Sequence, residues 1–254
     1  MRSDFQGRHA LVTGGGRGIG RAIASSLKDA GARVTILGRD RAALDRAVSE
    51  GGAHRGLTAD VTDAASVRAA MSEAAASDGP IDFLIANAGA AVSAPFSRSG
   101  EDVFRRMIDV NFMGSVHAAQ AALEPMTKRG FGRIVAIAST AGLKGYPYVS
   151  AYCASKHAVV GFVRSLALET ARTGVTVNAV CPGFAETDLV EESLDRIVSK
   201  TGRSREEALS ELVRHNPQGR LIRPDEVAGT VLWLCGDAAA SVTGQAIAVA
   251  GGEI

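Results

Sequence analysis

Short β-branched runs alternate along this chain with alanine-rich stretches of helical period, and few architectures accept such a series. A strand, a helix and a second strand parallel to the first form a βαβ unit. A succession of these units builds one parallel sheet with helices on both faces. The candidate strands are His9 to Thr13, Arg33 to Leu37, His54 to Ala59, Phe83 to Ala86, Arg133 to Ala138, Thr176 to Cys181 and Gln245 to Val249. Seven strands make a full doubly wound sheet, so an α/β fold with a seven-stranded parallel sheet flanked by helices is expected, in one domain over residues 1–254.

Helices are expected to begin near Gly18, Arg41, Asp63, Glu101, Tyr152 and Pro224, with Asp40, Asp63 and Ser99 as amino-terminal caps. Turns such as Asp29-Ala-Gly31 and Thr173-Gly174 close them. The rhythm breaks once, over Glu186 to Ile222, where a charged helical stretch replaces a short connection. A long excursion near the carboxyl ends of parallel strands usually covers a ligand crevice, so residues 186–222 are expected to form a substrate lid; a solvated helical hairpin is the plainer alternative.

Charge excludes some partners. The 28 basic and 27 acidic side chains leave a formal charge of +1, without the basic field that nucleic acid or an anionic membrane requires. The 8 Phe, 3 Tyr and 1 Trp are too sparse for a base-stacking surface. Cys153, Cys181 and Cys235 are odd in number and widely spaced, which supports neither a disulfide framework nor a thiolate metal site. The start, Met1 to Arg8, carries charges where a signal peptide would be apolar, and no apolar run approaches a membrane span. A cytoplasmic protein with buried thiols is expected.

The first strand runs into Thr13-Gly-Gly-Gly-Arg-Gly-Ile-Gly20, which opens directly into a helix. Glycine lets the backbone turn sharply and approach a pyrophosphate, whose charge then meets free amides and the positive helix end. Gly14, Gly18 and Gly20 fit that use, spaced G-x-x-x-G-x-G in place of the usual G-x-G-x-x-G, so a dinucleotide site on a Rossmann fold is the natural reading and a tight strand-to-helix corner the plainer one. An acidic residue at the end of the second strand would take the ribose hydroxyls of NAD, but Gly38-Arg39 stands there. Arg39, helped by Arg17, can pair with a 2′-phosphate, so NADP(H) is favoured over NAD(H). In the alternative, Arg39 is a solvated side chain and Asp40 accepts the ribose.

Ser139 ends the fifth strand, and a short loop leads to Tyr152-Cys-Ala-Ser-Lys156 at the start of a helix. Residues four apart on a helix differ by about 40° and rise by about 6 Å, so Tyr152 and Lys156 share a face. A nearby ammonium and a cationic nicotinamide ring both favour the phenolate, which would let Tyr152 pass a proton to or from a carbinol oxygen. Ser139 is placed to hydrogen-bond the same oxygen. His157 and His215 show no ligand spacing, so a catalytic metal is not expected.

With Thr13-Gly-x-x-x-Gly-x-Gly20, Asp60-Val61, Asn87-Ala-Gly89, Asn111, Ser139, Tyr152-x-x-x-Lys156 and Pro182-Gly183 followed by Thr187, the chain resembles the compact short-chain dehydrogenases/reductases over essentially its whole length. The resemblance implies that Ser139, Tyr152 and Lys156 are catalytic, with Asn111 completing a proton relay through water to Lys156. It places the Ile19 amide at the pyrophosphate and Asp60 and Val61 at adenine. Asn87, Ala88 and Gly89 line the cofactor crevice, with Pro182, Gly183 and Thr187 towards the nicotinamide. It also implies a homotetramer or homodimer through the helices at Glu101 to Lys128 and Tyr152 to Arg172 and the last strand. Ala86 and Ala250 depart from residues frequent in the family, away from the proton path.

Ile137 to Lys144 and Val177 to Thr187 resemble segments of 3-oxoacyl-thioester reductases and polyketide ketoreductases, and Glu191 to Arg223 resembles 3-hydroxybutyrate dehydrogenases. The expected activity is interconversion of a 3-oxoacyl and a 3-hydroxyacyl thioester, on coenzyme A or a carrier protein. Between Arg196 and Arg223 seven basic residues face three acidic ones, a rim that could receive a coenzyme A phosphate or an acidic carrier, or simply a solvated helix with compensating pairs. Lys144, Tyr146 and Tyr148 are candidates for the substrate mouth. Alternatives are a dehydrogenase of a hydroxy acid, a cyclic alcohol or a hydroxyacyl-CoA in degradation, and a dinucleotide-sensing protein without turnover.

Overall fold

Consecutive residues of a strand point to opposite faces, and a parallel sheet covered on both sides buries both sets. The computed structural model describes residues 4–202 and 204–254, so Met1, Arg2, Ser3 and Arg203 lie outside it. In β1 (His9–Thr13) Leu11 enters one core while Ala10 and Val12 enter the other. The same division runs through β2 (Arg33–Gly38), β4 (Phe83–Ala86), β5 (Gly132–Ile137) and β6 (Val175–Pro182), while the edge strands β3 (Arg55–Thr58) and β7 (Ala246–Val249) are less buried, β3 giving only Leu57 to a core. These strands form one parallel sheet in the order β3-β2-β1-β4-β5-β6-β7, the doubly wound arrangement expected.

Helices α1 (Gly18–Asp29), α2 (Arg41–Ser49) and α9 (Pro224–Cys235) cover one face. Helices α3 (Ala64–Asp78), α5 (Gly114–Arg129) and α6 (Ser150–Thr170) cover the other. Asp40 caps α2 through the Ala43 amide at 3.1 Å, and Asp63 caps α3 through that of Ala65 at 2.8 Å. Ser99 does not cap its helix. The cap of α4 (Glu101–Met107) is Gly100, while the Ser99 hydroxyl donates to the Pro95 carbonyl at 3.1 Å across a short 3-10 turn. The helix begun at Glu101 is also not continuous: a π-helical turn, Ile108–Met113, separates α4 from α5. All three cysteines are buried free thiols, and no helix of the described residues is long and apolar enough to cross a membrane.

The excursion after β6 contains α7 (Asp188–Thr201) and α8 (Arg205–Val213). Its ends are tied together, the Glu186 amide donating to the Ile222 carbonyl at 2.9 Å and the Ile222 amide to that of Phe184 at 2.8 Å. Val190, Leu194 and Ala208 form a small core of its own, against Phe184, Val198, Leu212 and Leu221.

At the opposite end of the sheet His9 is 2% exposed; its Nδ1 donates to the Gly79 carbonyl at 2.7 Å and its Nε2 lies 3.0 Å from Thr35 Oγ1. Burial lowers its pKa below the ordinary 6.5, overriding Asp78 and Asp82, which act the other way. Below about pH 6.5 the unfolded chain therefore takes up a proton that the folded protein resists, and stability falls as the pH falls. Thermal midpoints taken between about pH 7 and pH 5 should drop more steeply for the wild type than for His9→Gln, and parallel curves would remove His9 as the source.

Candidate active site

In a doubly wound sheet the crevice opens at the carboxyl ends of the strands where their order reverses, here between β1 and β4. The Thr13 hydroxyl at the end of β1 accepts the amides of Asn87 and Ala88, both at 3.0 Å, beyond the end of β4. The Asn87 carboxamide in return donates to the carbonyls of Thr13 at 3.0 Å and Gly14 at 3.2 Å. The glycine loop is thereby stitched to the neighbouring strand. Gly14 has φ +66°, and a Cβ on Gly20 would collide with the Gly14 carbonyl and the Asn87 side chain.

The amino end of α1 receives no side-chain cap from Arg17, the residue at its cap position. Uncapped first-turn amides, including that of Ile19, and a loop from which side chains are excluded suit the phosphates of a dinucleotide. Across the crevice Thr187 begins α7, and its methyl group stands 3.4 Å from the point where Gly18 would carry a Cβ. The amino-terminal end of the excursion thus faces the glycine loop. Pro182 ends β6 opposite Val249, and the Gly183 amide donates to the Val249 carbonyl at 3.0 Å.

At the adenine end suggested by the resemblance, Asp60 accepts the amide and hydroxyl of Thr62, both at 2.9 Å. The Thr62 amide is the main cause of a lowered Asp60 pKa, with Arg39 adding its charge. Arg39 is exposed at the end of β2 and within reach of that field. Asp40 has one carboxylate oxygen engaged in capping α2. Val61 is buried, its carbonyl 2.9 Å from His117 Nδ1.

Ser139, Tyr152 and Lys156 come together. Ser139 follows β5, and its Oγ accepts the Ala141 amide at 3.1 Å while its hydroxyl is near enough to the Tyr152 phenol to favour the phenolate. Lys156, 4% exposed, donates to the carbonyl of Ile137, the last residue of β5, at 2.8 Å, with its Nζ 5.8 Å from the centre of the Tyr152 ring. Burial raises the Tyr152 phenol above the ordinary tyrosine value and the Ser139 hydroxyl pulls it back. The lowering expected from an adjacent ammonium is thus opposed within the protein, because the same burial that brings the groups together penalises the phenolate. Burial also pushes the Lys156 ammonium down to about 8.

Asn111, 1% exposed, projects inward from the π-helical turn. Its Oδ1 accepts the Ala90 amide at 2.9 Å, and its Nδ2 donates to the Ala90 carbonyl and to Ser155 Oγ, both at 3.0 Å. These bonds hold Gly89 and Ala90 against α6, with Gly89 beside both Asn111 and Lys156. Two contributors went unread in the sequence. Thr13 stood in the glycine motif without a role, and Ser155, the acceptor for Asn111, follows Tyr152 by three residues and so shares its turn of helix.

The basic rim is not realised as counted. Arg205 pairs with Glu191 and, at 3.0 Å, with Asp195; Arg214 with Glu211 at 2.7 Å; Arg220 with Glu226 at 2.7 Å; Arg223 with Asp225 at 3.1 Å. Two of these acidic partners, Glu191 and Asp195, lie just upstream of Arg196, two, Asp225 and Glu226, lie just downstream of Arg223, and only Glu211 lies within the segment. Arg203, and the side chains of Arg196 and Lys200, lie outside the described residues.

A family model described as short chain dehydrogenase matches residues 8–197. The D-beta-hydroxybutyrate dehydrogenase of Rhizobium meliloti is 36% identical over 250 residues, covering 96% of this chain and 97% of that protein. The 3-oxoacyl-acyl-carrier-protein reductase of Escherichia coli K12 is 34% identical over 259 residues, covering 98% of each. Among solved structures, a variant of actinorhodin polyketide ketoreductase crystallised with NADPH superposes with a TM-score of 0.93 at 38% identity, covering 97% of each chain.

Lys156 supplies a physical test of this buried site. Below about pH 8 both states hold its proton and the folded state bears the cost of a buried charge. Between about 8 and the ordinary 10.5 the unfolded chain retains more protons, so stability rises with pH. Urea unfolding should show the wild type gaining on Lys156→Met across that window; equal slopes would place the ammonium in water.

Proposed function

The chain belongs to the short-chain dehydrogenase family, and from that premise we propose an NADP(H)-dependent oxidoreductase that interconverts a 3-oxoacyl and a 3-hydroxyacyl thioester, carried on coenzyme A or a carrier protein. The observation that carries the reading is the convergence of Ser139, Tyr152 and Lys156 at the end of β5, on the crevice whose far wall is the glycine loop.

In the reductive direction Tyr152 gives its proton to the substrate carbonyl oxygen, and the Ser139 hydroxyl holds that oxygen in place. When bound, the nicotinamide supplies the hydride. Lys156 stabilises the phenolate left on Tyr152, and its own pKa of about 8 keeps it largely protonated at neutral pH. Asn111 acts in the resupply of protons through water to Lys156, from a carboxamide already oriented by Ala90 and Ser155.

Gly14, Gly18, Ile19 and Gly20 receive the pyrophosphate, Asp60 and Val61 the adenine, and Asn87, Ala88 and Gly89 the middle of the cofactor. Tyr152, Lys156, Pro182, Gly183 and Thr187 meet the nicotinamide end. Arg39 and Arg17 take the 2′-phosphate. The engaged Asp40 and the NADPH of the structural neighbour support this choice. Residues 186–222 serve as the lid, a role supported by Thr187 facing Gly18. The 3-oxoacyl class is supported by the names of the reductase relatives, not by the rim, whose described arginines are paired. We assign the protein to the cytoplasm on its three free buried thiols, and assembly as a homotetramer or homodimer to α4, α5, α6 and β7, with Leu168 of α6 81% exposed.

Tyr152→Phe should lower turnover by about 10² to 10⁴ while nicotinamide cofactor affinity, measured by fluorescence titration, stays near wild type. Full activity in that variant would remove Tyr152 from the proton path. For the cofactor, the ratio of kcat/KM with NADPH to that with NADH should exceed one and fall by about tenfold in Arg39→Gln, through loss of NADPH efficiency alone. Cofactor oxidation against acetoacetyl-CoA, carrier-bound ketoacyl groups, free 3-oxo acids and cyclic ketones tests the substrate. Preference for a free acid would favour the hydroxybutyrate dehydrogenase relationship, and saturable cofactor binding without turnover on any ketone would overturn the reductase reading.

A further inference from the structure

Three aromatic side chains from three separate segments meet near the Ser139 turn. Tyr146 comes from the connection into α6, Phe184 from the chain beyond β6, and His215 from the return of the excursion after α8. The Tyr146 ring is edge-on to both others at 6.0 Å, while Phe184 and His215 stack at 6.3 Å with 26° between their planes. The Tyr146 hydroxyl accepts from Thr140 at 2.7 Å, and Thr140 is the neighbour of Ser139. The rings therefore stand one residue away from the group beside the Tyr152 phenol.

Tyr146 is fastened to the short turn after β7, and the residues next to Phe184 and His215 pack against the end of β7 or that turn. The Tyr146 hydroxyl donates to the Glu253 carboxylate at 2.5 Å, and Lys144 Nζ lies 3.1 Å from the same oxygen. The Glu253 side chain is only 1% exposed. Gly183, next to Phe184, donates its amide to Val249 at 3.0 Å, and a Cβ built on it would lie 3.2 Å from Glu253 Oε2. Gly251, at φ +62°, packs so closely on Asn216, next to His215, that any side chain there would strike the carboxamide. Gly252 lies against Pro217.

We propose that Glu253 is a positioning residue: by fixing Tyr146 against Phe184 and His215 it builds an aromatic wall that orients the acyl portion of the substrate whose carbonyl Ser139 and Tyr152 hold. What the wall orients rests on the reductase reading above; that Glu253 sets the wall does not. The carboxylate touches no reacting atom. Burial, with the bond to Glu253, raises the Tyr146 phenol, so its proton remains available for that bond at neutral pH.

Steady-state kinetics with acetoacetyl-CoA for the wild type, Glu253→Gln, Tyr146→Phe and the double variant test it. Each single variant should raise KM about tenfold, the scale of one hydrogen bond to a charged group, with kcat within about twofold. The double variant should be no worse than the worse single, because both substitutions cut the same bond. An unchanged KM, a loss confined to kcat, or effects that multiply would overturn the proposal. If Glu253→Gln does not fold, Tyr146→Phe carries the KM test alone. If the wild type reduces no thioester, the reductase reading fails by itself, and positioning is read from the ring protons of His215 by NMR. These should shift in Glu253→Gln and in Tyr146→Phe alike, and unmoved resonances would overturn the role of Glu253 irrespective of activity.

Discussion

Much of this molecule depends on how β1 and β4 are joined beyond the point where their main-chain pairing ends. Neighbouring strands at a reversal of strand order send their connections to opposite faces, and the gap between those connections has no ladder to hold it. Here the Thr13 hydroxyl and the Asn87 carboxamide supply the missing hydrogen bonds. They hold the glycine loop close to the 87–89 backbone, which is why Gly20 has no room for a side chain. The crevice wall is therefore set by side chain to backbone bonds, and the uncapped start of α1 is aimed by that wall.

The second wall carries its polar groups at a cost in stability. Lys156 and Asn111 are almost fully buried, and each is tolerated because its bonds are directed at backbone: Ile137 for the ammonium, Ala90 for the carboxamide. The π-helical turn that separates α4 from α5 is the device that turns Asn111 inward, and such turns concentrate at functional sites. Strain lies close by. Tyr148 adopts φ +66°, a conformation rare for a side chain of its size, two residues before α6, and its carbonyl accepts the Ala94 amide at 2.8 Å. That bond clips the loop after Gly89 to the entrance of the helix bearing Tyr152 and Lys156.

The excursion and the turn after β7 complete the surroundings by a different route. The excursion has its own small apolar core and ends tied by a pair of backbone bonds, so it sits on the sheet as a closed unit. Among the described residues it meets the rest through Thr187 at one end and through His215, Asn216, Pro217 and Arg220 at the other. The turn at Gly251 and Gly252 fits beneath that return, and Glu253 reaches across to Tyr146. Charge that looks unbalanced along the sequence is balanced in space, Arg205 finding Glu191 and Asp195 on the preceding helix.

The sequence by itself determined the features that depend on near neighbours. The strands, the two aspartate caps, the glycine loop and the Tyr152–Lys156 spacing were legible because periodicity, capping and helical phase act over a few residues. Ser99 shows the limit of that range: a competing 3-10 turn engaged its hydroxyl, and Gly100 took the cap position. Only the tertiary structure decided the inward turn of Asn111, the union of Thr13 with Asn87, the pairing of the excursion's arginines and the hold of Glu253 on Tyr146. Tyr146 and Glu253 are 107 positions apart, and the two residues acquire a meaning only when the sheet brings them to one edge of the crevice. Burial did the same for the ionisation of Tyr152 and Lys156, because the cost of charge is set by the surrounding volume, and no local pattern in a chain encodes it.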